Sequence, residues 1–489
     1  MIDFATIRQA IQELPNLAMA STGNPPTPAD VFFPASHALA LEPDVSLVIG
    51  NRGMGKTFWT LALASEEVRP LLSERYVYLR RSNMATLDVK LGFADAEGAA
   101  GAISRAVLES LPDDVQTEII WRAVLVRVLA PYIAVSVPDR FFELVQWVRE
   151  NPEAQLEIFT RCDAQFTSSG TSLLVVFDQL DQLATDWSRI QALTQGLIKI
   201  ALAMKSYRSL KIKIFMRTDQ AENKELFRFP DGSKILGGSK VLRWRASDLF
   251  GLLFFEILKS PVANGDFRKL CESLGVNFNI IDQKSKLPHS LVTESVKQSE
   301  VFHSLAGPFM GRNEKRGRPY TWLPAHLADG RGEISPRVFL HVMRVAAQAD
   351  HLAPGATAVD YRGILEGVRD ASSVRLAELE EDYPWVSDAL SPLRGLLVPC
   401  EPAEIIERWR GDKTIDHIAG NYKGSRAPLD IPIASLFGDE ESDQLISLLS
   451  EIGVFEERAN GKINIPDIFR VNAGILRKGG IPPQERNRF

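Results

Sequence analysis

Short apolar runs alternate with longer segments of helical periodicity in the first half of the chain. Three of these runs are VSLVI at 45–49, LLVVF at 173–177 and KIKIFM at 211–216. Short runs of this kind are typical of strands that are buried on both faces of a parallel sheet. Segments such as PDRFFELVQWVREN, which lies between the first and second runs, have the spacing of amphipathic helices. The alternation predicts an α/β fold with a parallel sheet.

The second half of the chain has a different pattern, with helical periodicity and polar loops beyond residue 260. Residues 361–382 form a charged amphipathic segment, which we interpret as a helix with a solvated face. Near the end, Asn460-Gly461 separates two short strand-like segments and follows a helical one, which indicates a hairpin. A helix followed by such a hairpin predicts a winged-helix domain with the hairpin as its wing.

These patterns predict four regions: an N-terminal helical segment at 1–30, an α/β core at 31–260, a helical lid or bundle at 261–395, and a winged-helix-like domain with a basic tail at 396–489.

The first apolar run leads directly into a phosphate-binding motif. Residues 50–57 are GNRGMGKT, which matches G-x-x-x-x-G-K-[ST], and a helical segment follows. Glycines let the backbone approach phosphate closely, Lys56 supplies a positive charge to the β- and γ-phosphates, and the Thr57 hydroxyl is a ligand for Mg²⁺. The predicted nucleotide-binding residues are Gly50, Asn51, Arg52, Gly53, Met54, Gly55, Lys56 and Thr57.

The other two apolar runs end in polar residues that complete such a site. Asp178 follows LLVVF, where the carboxyl end of a strand would hold a carboxylate near Mg²⁺. KIKIFM ends in Arg217-Thr218-Asp219, and Thr218 or Arg217 is a candidate to sense the γ-phosphate or to position water. A plain turn at the end of the strand is the alternative.

The segments GNRGMGKT, LLVVFDQLDQL and KIKIFMRTD resemble the Walker A, Walker B and sensor 1 segments of the ASCE division of P-loop NTPases, which includes AAA+, STAND and KAP ATPases. The resemblance covers about residues 30–260 and implies ATP and Mg²⁺ as ligands. It also implies ATP hydrolysis, with Asp178 and Thr57 at the metal. No N-K-x-D motif that would read guanine follows the core strands.

The chain departs from the AAA+ pattern in two places. Gln179 stands where AAA+ proteins have a water-activating Glu, and an amide orients water without taking its proton. Asp181 is therefore the alternative base, and slow turnover is expected. Thr57 and Asp178 are also far apart in sequence, and we interpret about 84–165 as a helical insertion.

Three arginines are candidates to complete the site. Arg337 lies in the first turn of a helix predicted from Ser335 (N-cap) and Pro336, where a bound anion would offset the unfavourable helix dipole. It resembles a sensor 2 arginine, with an ion pair as the alternative. Arg243 and Arg245 flank Trp244 and are candidate arginine fingers for a neighbouring subunit, or else keep the edge of the core soluble.

Charge limits the nucleic-acid interpretation to local patches, because the net charge is −6 and the pI about 5.8. Two segments are basic despite this, 312–318 and 470–489. The former is either a solvated loop or a contact for phosphates or a neighbouring subunit. The cations of the two segments are Arg312, Lys315, Arg316 and Arg318, and Arg470, Arg477, Lys478, Arg486 and Arg488.

The resulting hypothesis is a Mg²⁺-dependent ATPase that acts as a switch or assembly module for a protein effector, with self-association and a role in bacterial antiphage defence. The alternative is a DNA-binding ATPase loader or regulator that uses the winged helix and the basic segments. A scaffold that binds nucleotide without hydrolysis is a third possibility. Three widely spaced cysteines and the lack of a long apolar run favour a cytoplasmic protein without a membrane partner.

Overall fold

The structure is a computed structural model that describes residues 2–16, 25–94, 101–278, 287–349, 356–422 and 440–482. The chain divides into two compact units. Ser21–Arg243 form one, which we call the P-loop unit, and Met1–Ala20 with Trp244–Phe489 form the other, which we call the helical unit. The N-terminal helix α1 (Phe4–Gln12) therefore belongs with the second half of the chain.

A parallel sheet forms the centre of the P-loop unit. Its strands are β1 (Leu47–Ile49), β2 (Leu87–Leu91), β3 (Ser172–Phe177), β4 (Leu210–Met216) and β5 (Lys240–Val241). They lie in the order β2-β3-β4-β1-β5, and each neighbouring pair is parallel. The three apolar runs of the sequence are β1, β3 and β4, as predicted, and their side chains are largely buried.

Helices surround this sheet. They are α2 (Lys56–Ala64), α3 (Arg69–Arg75), α4 (Arg105–Glu109), α5 (Thr117–Leu129), α6 (Phe141–Glu150), α7 (Pro152–Ser168), α8 (Trp187–Met204), α9 (Thr218–Glu222) and α10 (Gly232–Gly237). Trp121 of α5 is buried, donates a hydrogen bond of 2.7 Å to the carbonyl of Leu193 in α8, and contacts Phe177 of β3 edge to face. The helices between β2 and β3 thus share one apolar core with the sheet.

The predicted insertion at 84–165 differs from the structure at its start. Strand β2 lies inside that range, and the helices α4–α7 follow it. In β2 the buried Leu87 and Val89 alternate with the polar Asp88 and Lys90. This period-2 pattern belongs to a half-covered strand at a sheet edge, and it is too short to stand out in the sequence.

A buried lysine anchors the segment that leads into β1. Lys213 lies in β4 with 0% exposure, and its Nζ donates to the carbonyls of Ala40, Glu42 and Val45 at 2.9, 2.9 and 2.7 Å. The three ammonium protons are therefore all satisfied. This arrangement sets the position of β1, and with it the loop that follows.

The helical unit continues from Trp244. Its helices are α11 (Ala246–Lys259), α12 (Asn264–Ser273), α13 (His289–Val292), α14 (Val296–Ala306), α15 (Pro319–Leu327), α16 (Pro336–Gln348), α17 (Tyr361–Asp382), α18 (Val386–Leu390), α19 (Pro402–Asp412), α20 (Thr414–Asn421), α21 (Glu440–Glu451) and α22 (Asp467–Ala473). Its short strands are β6 (Leu397–Val398), β7 (Glu456–Glu457), β8 (Ile463–Asn464) and β9 (Leu476–Arg477).

The charged helix predicted at 361–382 is α17, and it packs tightly against α16. A Cβ at Gly363 or Gly367 would lie 2.5 Å from the carbonyl oxygen of Ala346 or Val342, respectively. The two glycines are four residues apart, so they share one face of α17 and let the helix backbones approach closely. The helix is a packing element as well as a solvated surface.

The predicted hairpin near the end is present. Strands β7 and β8 are antiparallel, and the turn places Gly461 at φ +79° with a 2.8 Å bond from the Arg458 amide to the Lys462 carbonyl. Cys400 and Ile463 exchange backbone hydrogen bonds of 3.0 and 2.9 Å, which ties the hairpin to the segment before α19. Helices α19–α21 followed by this wing confirm the winged-helix prediction. None of the described helices has both the length and the hydropathy that a bilayer span requires.

Candidate nucleotide-binding site

The loop at 50–57 follows β1 and ends in the first turn of α2. The Gly50 amide donates to the Met216 carbonyl at 3.0 Å, which fixes the start of the loop to β4. Gly53 and Gly55 have φ values of +81° and +96°, a region that L side chains rarely adopt. The sequence therefore has glycine at the two positions where the loop backbone is left-handed, and the N-terminus of α2 adds a favourable dipole for an anion.

Lys56 folds back over this loop. Its Nζ donates to the carbonyls of Gly50 and Asn51 at 2.8 and 3.0 Å. Burial lowers the pKa of Lys56, and the charge of Asp178 opposes that shift. In a nucleotide complex, phosphate oxygens would take the place of these carbonyls as acceptors.

Asp178 follows β3 and lies at the same edge of the sheet, with 5% of its surface exposed. Burial raises its pKa, whereas Lys56, the Thr57 hydroxyl and the Gln179 amide lower it. These groups face the carboxylate, yet neither of its oxygens makes a hydrogen bond of ordinary geometry with a described residue. A buried carboxylate without a direct partner is costly, and a bound cation would remove that cost.

The residues present fit Mg²⁺. This ion is usually held by one or two protein oxygens together with waters and substrate phosphates. Thr57 and Asp178 supply a hydroxyl and a carboxylate at the mouth of the phosphate loop. The arrangement can accept a metal that bridges to a bound nucleotide.

A third group of charges lies where β4 ends. Arg217 makes a two-pronged ion pair with Asp219, with Nε–Oδ1 and Nη2–Oδ2 distances of 3.1 and 3.0 Å. Its Nη1 lies 3.7 Å from Oδ2 of Asp181. Thr218, the other candidate at this position, is the first residue of α9. Sequence reasoning missed Asp219, although its place two residues after Arg217 at a strand end was a usable signal.

The turn after Asp178 explains how Asp181 reaches this group. Gln179 adopts the left-handed region at φ 57° and ψ 43° and starts a short turn over Leu180–Gln182. For a residue other than glycine, this conformation costs about 1 kcal/mol or more. The turn places Asp181 beside Arg217 and near enough to Lys56 to affect its pKa.

The remaining arginine candidates lie in two places. Arg243 is the last residue of the P-loop unit, and Arg245 is the N-cap of α11 in the helical unit. Arg337 lies in the first turn of α16, whose N-cap is Ser335 as predicted, and its Nη1 is 2.8 Å from Oε1 of Glu378. Arg337 thus has an ion-pair partner within its own unit, and its role toward a nucleotide stays a prediction.

The first basic segment is an ordered, exposed loop. The Met310 amide donates to the Gly317 carbonyl at 2.8 Å, which closes the loop. Within the loop, the Arg316 and Gly317 amides donate to the carbonyls three residues earlier in the sequence, at 3.2 and 3.0 Å. Among the described residues, its cations have no carboxylate within ion-pair distance. These exposed cations are Arg312, Lys315, Arg316 and Arg318.

The second basic segment requires a correction. Arg470 was predicted to belong to a DNA-binding tail, but it has 0% exposure and donates to Asp467 and to the carbonyls of Ile475 and Ile481. Its Nε and Nη1 are paired inside the helical unit and the side chain is buried, so it is not accessible to a phosphate. Residues 483–489, with Arg486 and Arg488, lie outside the described residues.

No protein-family model matches the chain, and no curated protein gives a significant match. Solved structures with low similarity include the Aeropyrum pernix ORC2 protein in ADPNP–ADP complexes, with 12% identity over 87% of this chain and 84% of that one and a TM-score of 0.36. The Aeropyrum pernix ORC1 protein in complex with DNA has 15% identity over 88% and 86% and a TM-score of 0.30. Cdc6p from Pyrobaculum aerophilum has 12% identity over 86% and 83% and a TM-score of 0.27.

These TM-scores are too low to carry an inference about ligands, and the class of the chain follows from its own geometry. Strand β4 lies between β1, which leads into the phosphate loop, and β3, which leads to Asp178. This additional strand is the feature that gives the ASCE division its name. The chain therefore has the fold of an ASCE P-loop NTPase with a C-terminal winged helix.

Proposed function

We propose that the chain binds Mg²⁺–ATP at residues 50–57 and hydrolyses it slowly, as a switch or assembly module for a protein partner. The observation that carries the proposal is the buried Asp178 carboxylate, which faces Thr57 and Lys56 although neither of its oxygens makes a hydrogen bond of ordinary geometry with a described residue. Lys56 would bind the β- and γ-phosphates, and Thr57 with Asp178 would hold the metal. When bound, Mg²⁺ supplies charge neutralisation to the transferred phosphoryl group.

Three charged residues next to the metal site, Arg217, Asp219 and Asp181, support the proposal that the protein acts as a switch. Arg217 is held by Asp219 and Asp181 at the carboxyl end of β4, next to the phosphate loop. A γ-phosphate is a stronger competitor for a guanidinium than a partly exposed carboxylate. Binding of ATP would thus draw Arg217 away from Asp181 and free that carboxylate to orient or deprotonate water.

Nucleotide binding and phosphate release by the full chain test the site. Lys56→Ala is expected to weaken ATP binding at least tenfold and to abolish turnover. Lys211→Ala is the matched control, because Lys211 is an ion-paired lysine at the opposite end of β4. Unchanged binding and turnover in Lys56→Ala would reject the assignment.

Two further variants separate the candidate bases. Asp181→Asn should lower turnover with little change in ATP affinity, whereas Gln179→Glu should preserve or raise turnover. Equal turnover in Asp181→Asn and the wild type would remove Asp181 from the reaction. If the wild type binds ATP but releases no phosphate, the protein is a scaffold that binds nucleotide without hydrolysis.

A second candidate function, DNA-associated regulation, is favoured by the exposed loop at 312–318. Its cations project from a braced loop and have no acidic partner among the described residues. Phosphate contacts of this kind give sequence-independent, salt-dependent affinity. The burial of Arg470 removes the start of the tail from this role, and the loop becomes the main described contact.

Mobility shifts with duplex DNA across salt concentrations test this function. Replacing Arg312 and Arg316 with Glu should lower the affinity at least tenfold and flatten its salt dependence, because each lost phosphate contact reduces the slope by about one. Replacing the exposed Arg80 and Arg81 of the P-loop unit is the matched control. Absence of binding by the wild type at low salt would reject DNA as a partner. The protein effector, self-association and a role in antiphage defence are further proposals, and neighbouring genes would test them.

A further inference from the structure

His37 is a buried histidine that the proposed site does not use. It ends a short turn over Ala35–His37 and has 0% exposure. Burial lowers its pKa to about 3, so the ring is neutral at physiological pH. A neutral imidazole has one donor and one acceptor, and both are engaged here.

The two hydrogen bonds of His37 assign its tautomer. The indole Nε1–H of Trp59 donates to Nδ1 of His37 at 2.9 Å. Because Nδ1 accepts, Nε2 carries the proton and donates to the carbonyl of Arg243 at 3.1 Å. The Ser36 hydroxyl donates to the same carbonyl at 2.7 Å, so both lone pairs of that oxygen are used.

Trp59 connects this histidine to the phosphate loop. It lies on α2, one turn after Lys56, and is buried. A Cβ at Gly55 would lie 3.9 and 4.0 Å from Cδ1 and Nε1 of Trp59. The indole edge that donates to His37 is therefore also the edge that packs against the loop glycine.

Arg243 lies at the other end of this series of contacts, at the position where the polypeptide leaves the P-loop unit. The Leu242 amide donates to the Ile49 carbonyl at 2.8 Å, so the segment starts beside β1. Arg243 is then the last residue of the P-loop unit, and the chain continues into the helical unit at Trp244. Ser36 and His37 belong to the segment by which the chain enters the P-loop unit. The incoming and outgoing segments thus meet at one carbonyl oxygen.

We propose that His37 is a positioning residue that couples the phosphate loop to the point where the chain leaves the P-loop unit. A shift of Gly55 and the first turn of α2 moves the Trp59 indole, and the two hydrogen bonds of His37 pass that movement to the Arg243 carbonyl. The inference rests on the proposed function, because it takes a nucleotide at residues 50–57 as the cause of the shift. It adds a route by which nucleotide binding affects the residues where the helical unit begins.

Amide hydrogen exchange of the full chain, with and without Mg²⁺–ATP, tests the route. In the wild type, ATP should slow exchange at residues 53–58 and change it at 242–245. Trp59→Phe keeps an aromatic ring but removes the donor to His37. In this variant the response at 53–58 should remain, with ATP affinity within threefold of the wild type, and the response at 242–245 should fall at least fivefold.

Tyr76→Phe is the matched control, because Tyr76 donates a buried 2.8 Å hydrogen bond to the carbonyl of Pro34 in the same incoming segment. It should lose a similar amount of stability and keep the full response at 242–245. A full response at 242–245 in Trp59→Phe would overturn the role of His37. No response to ATP at 53–58 in the wild type would instead overturn the proposed function, and the inference with it.

Discussion

The two units each bury a carboxylate near a cation, but they arrange the charges differently. In the helical unit, Asp467 and Arg470 form a direct ion pair, with an Nε–Oδ1 distance of 2.5 Å and almost no exposure of either side chain. In the P-loop unit, Lys56 donates to two loop carbonyls, and Asp178 has no hydrogen bond of ordinary geometry. Each pair has a buried carboxylate near a cation, so the burial of the carboxylate alone does not distinguish the two arrangements.

The two arrangements differ in how far the desolvation of the buried charges is compensated within the protein. A direct buried pair compensates the desolvation of its members and ties α22 to the segment after it. Charges that stay buried and separate keep part of that cost, which a ligand can then recover on binding. The comparison therefore separates a structural charge pair from a binding site without reference to any relative.

Removing the cation of the structural pair should have the largest effect. Arg470→Met removes the direct partner of the buried Asp467 and leaves only the longer contacts to Arg477 and His326, and loss of a buried partner costs about 3–5 kcal/mol in comparable pairs. Chemical denaturation of the full chain should show this loss. Arg477→Met is the control, since Arg477 lies 3.6 Å from the same carboxylate but is about one-third exposed, and it should cost less than about 1 kcal/mol. Equal effects would mean that burial is not what distinguishes the two arginines.

Neutralising the carboxylate of the binding site should act in the opposite direction. Asp178→Asn removes a buried charge whose desolvation is only partly offset by Lys56, Thr57 and Gln179, so the nucleotide-free protein should gain about 1 kcal/mol in its free energy of unfolding. In a thermal shift assay, ATP with Mg²⁺ should stabilise the wild-type protein more than ATP alone does. Asp178→Asn should lose this difference. A less stable nucleotide-free variant would show that Asp178 is compensated within the protein, and the contrast with Asp467 would fail.

The pH dependence of this gain sharpens the contrast. Burial raises the pKa of Asp178 above its ordinary value of 3.8, so the folded protein holds the proton more tightly than the unfolded chain does. Its contribution to stability therefore decreases as the pH rises from about 3.8 through the raised value. The advantage of Asp178→Asn should therefore be small near pH 4 and should increase as the pH rises through the raised pKa of Asp178.

Denaturation curves at several pH values give this difference directly. Asp113→Asn is the control, because the Asp113 side chain is 96% exposed, and it should change the free energy of unfolding by less than about 0.5 kcal/mol. An advantage of Asp178→Asn that stays constant with pH would show that the carboxylate titrates as it does in the unfolded chain.

The smallest effect on stability is expected for the exposed loop. Replacing Arg312 and Arg316 with Glu should change the free energy of unfolding by less than about 0.5 kcal/mol, because neither cation has an ion-pair partner among the described residues. The same denaturation measurement as for Arg470 applies. A loss above about 1 kcal/mol would place these cations in the packing of the helical unit, together with Arg470.

Much of the P-loop unit could be predicted from the sequence, because its signals are local. Strands β1, β3 and β4 are continuous apolar segments, and the loop motif combines glycine, lysine and threonine at fixed spacing. Strand β2 was harder to recognise, since an edge strand carries polar residues at every second position. In the helical unit, the Ser335-Pro336 start of α16 and the Asn460-Gly461 turn were equally local signals and are present.

The class of fold and the phosphate loop could thus be predicted from the sequence, since both depend on residues adjacent in the chain. The pairing of the charges depended instead on the three-dimensional contacts. These contacts place Arg470 in the interior, give Arg217 two carboxylate partners, leave Asp178 without a hydrogen bond of ordinary geometry to a described residue and join His37 to Arg243. Burial and pairing depend on contacts between elements distant in sequence, and residue type alone does not specify these contacts.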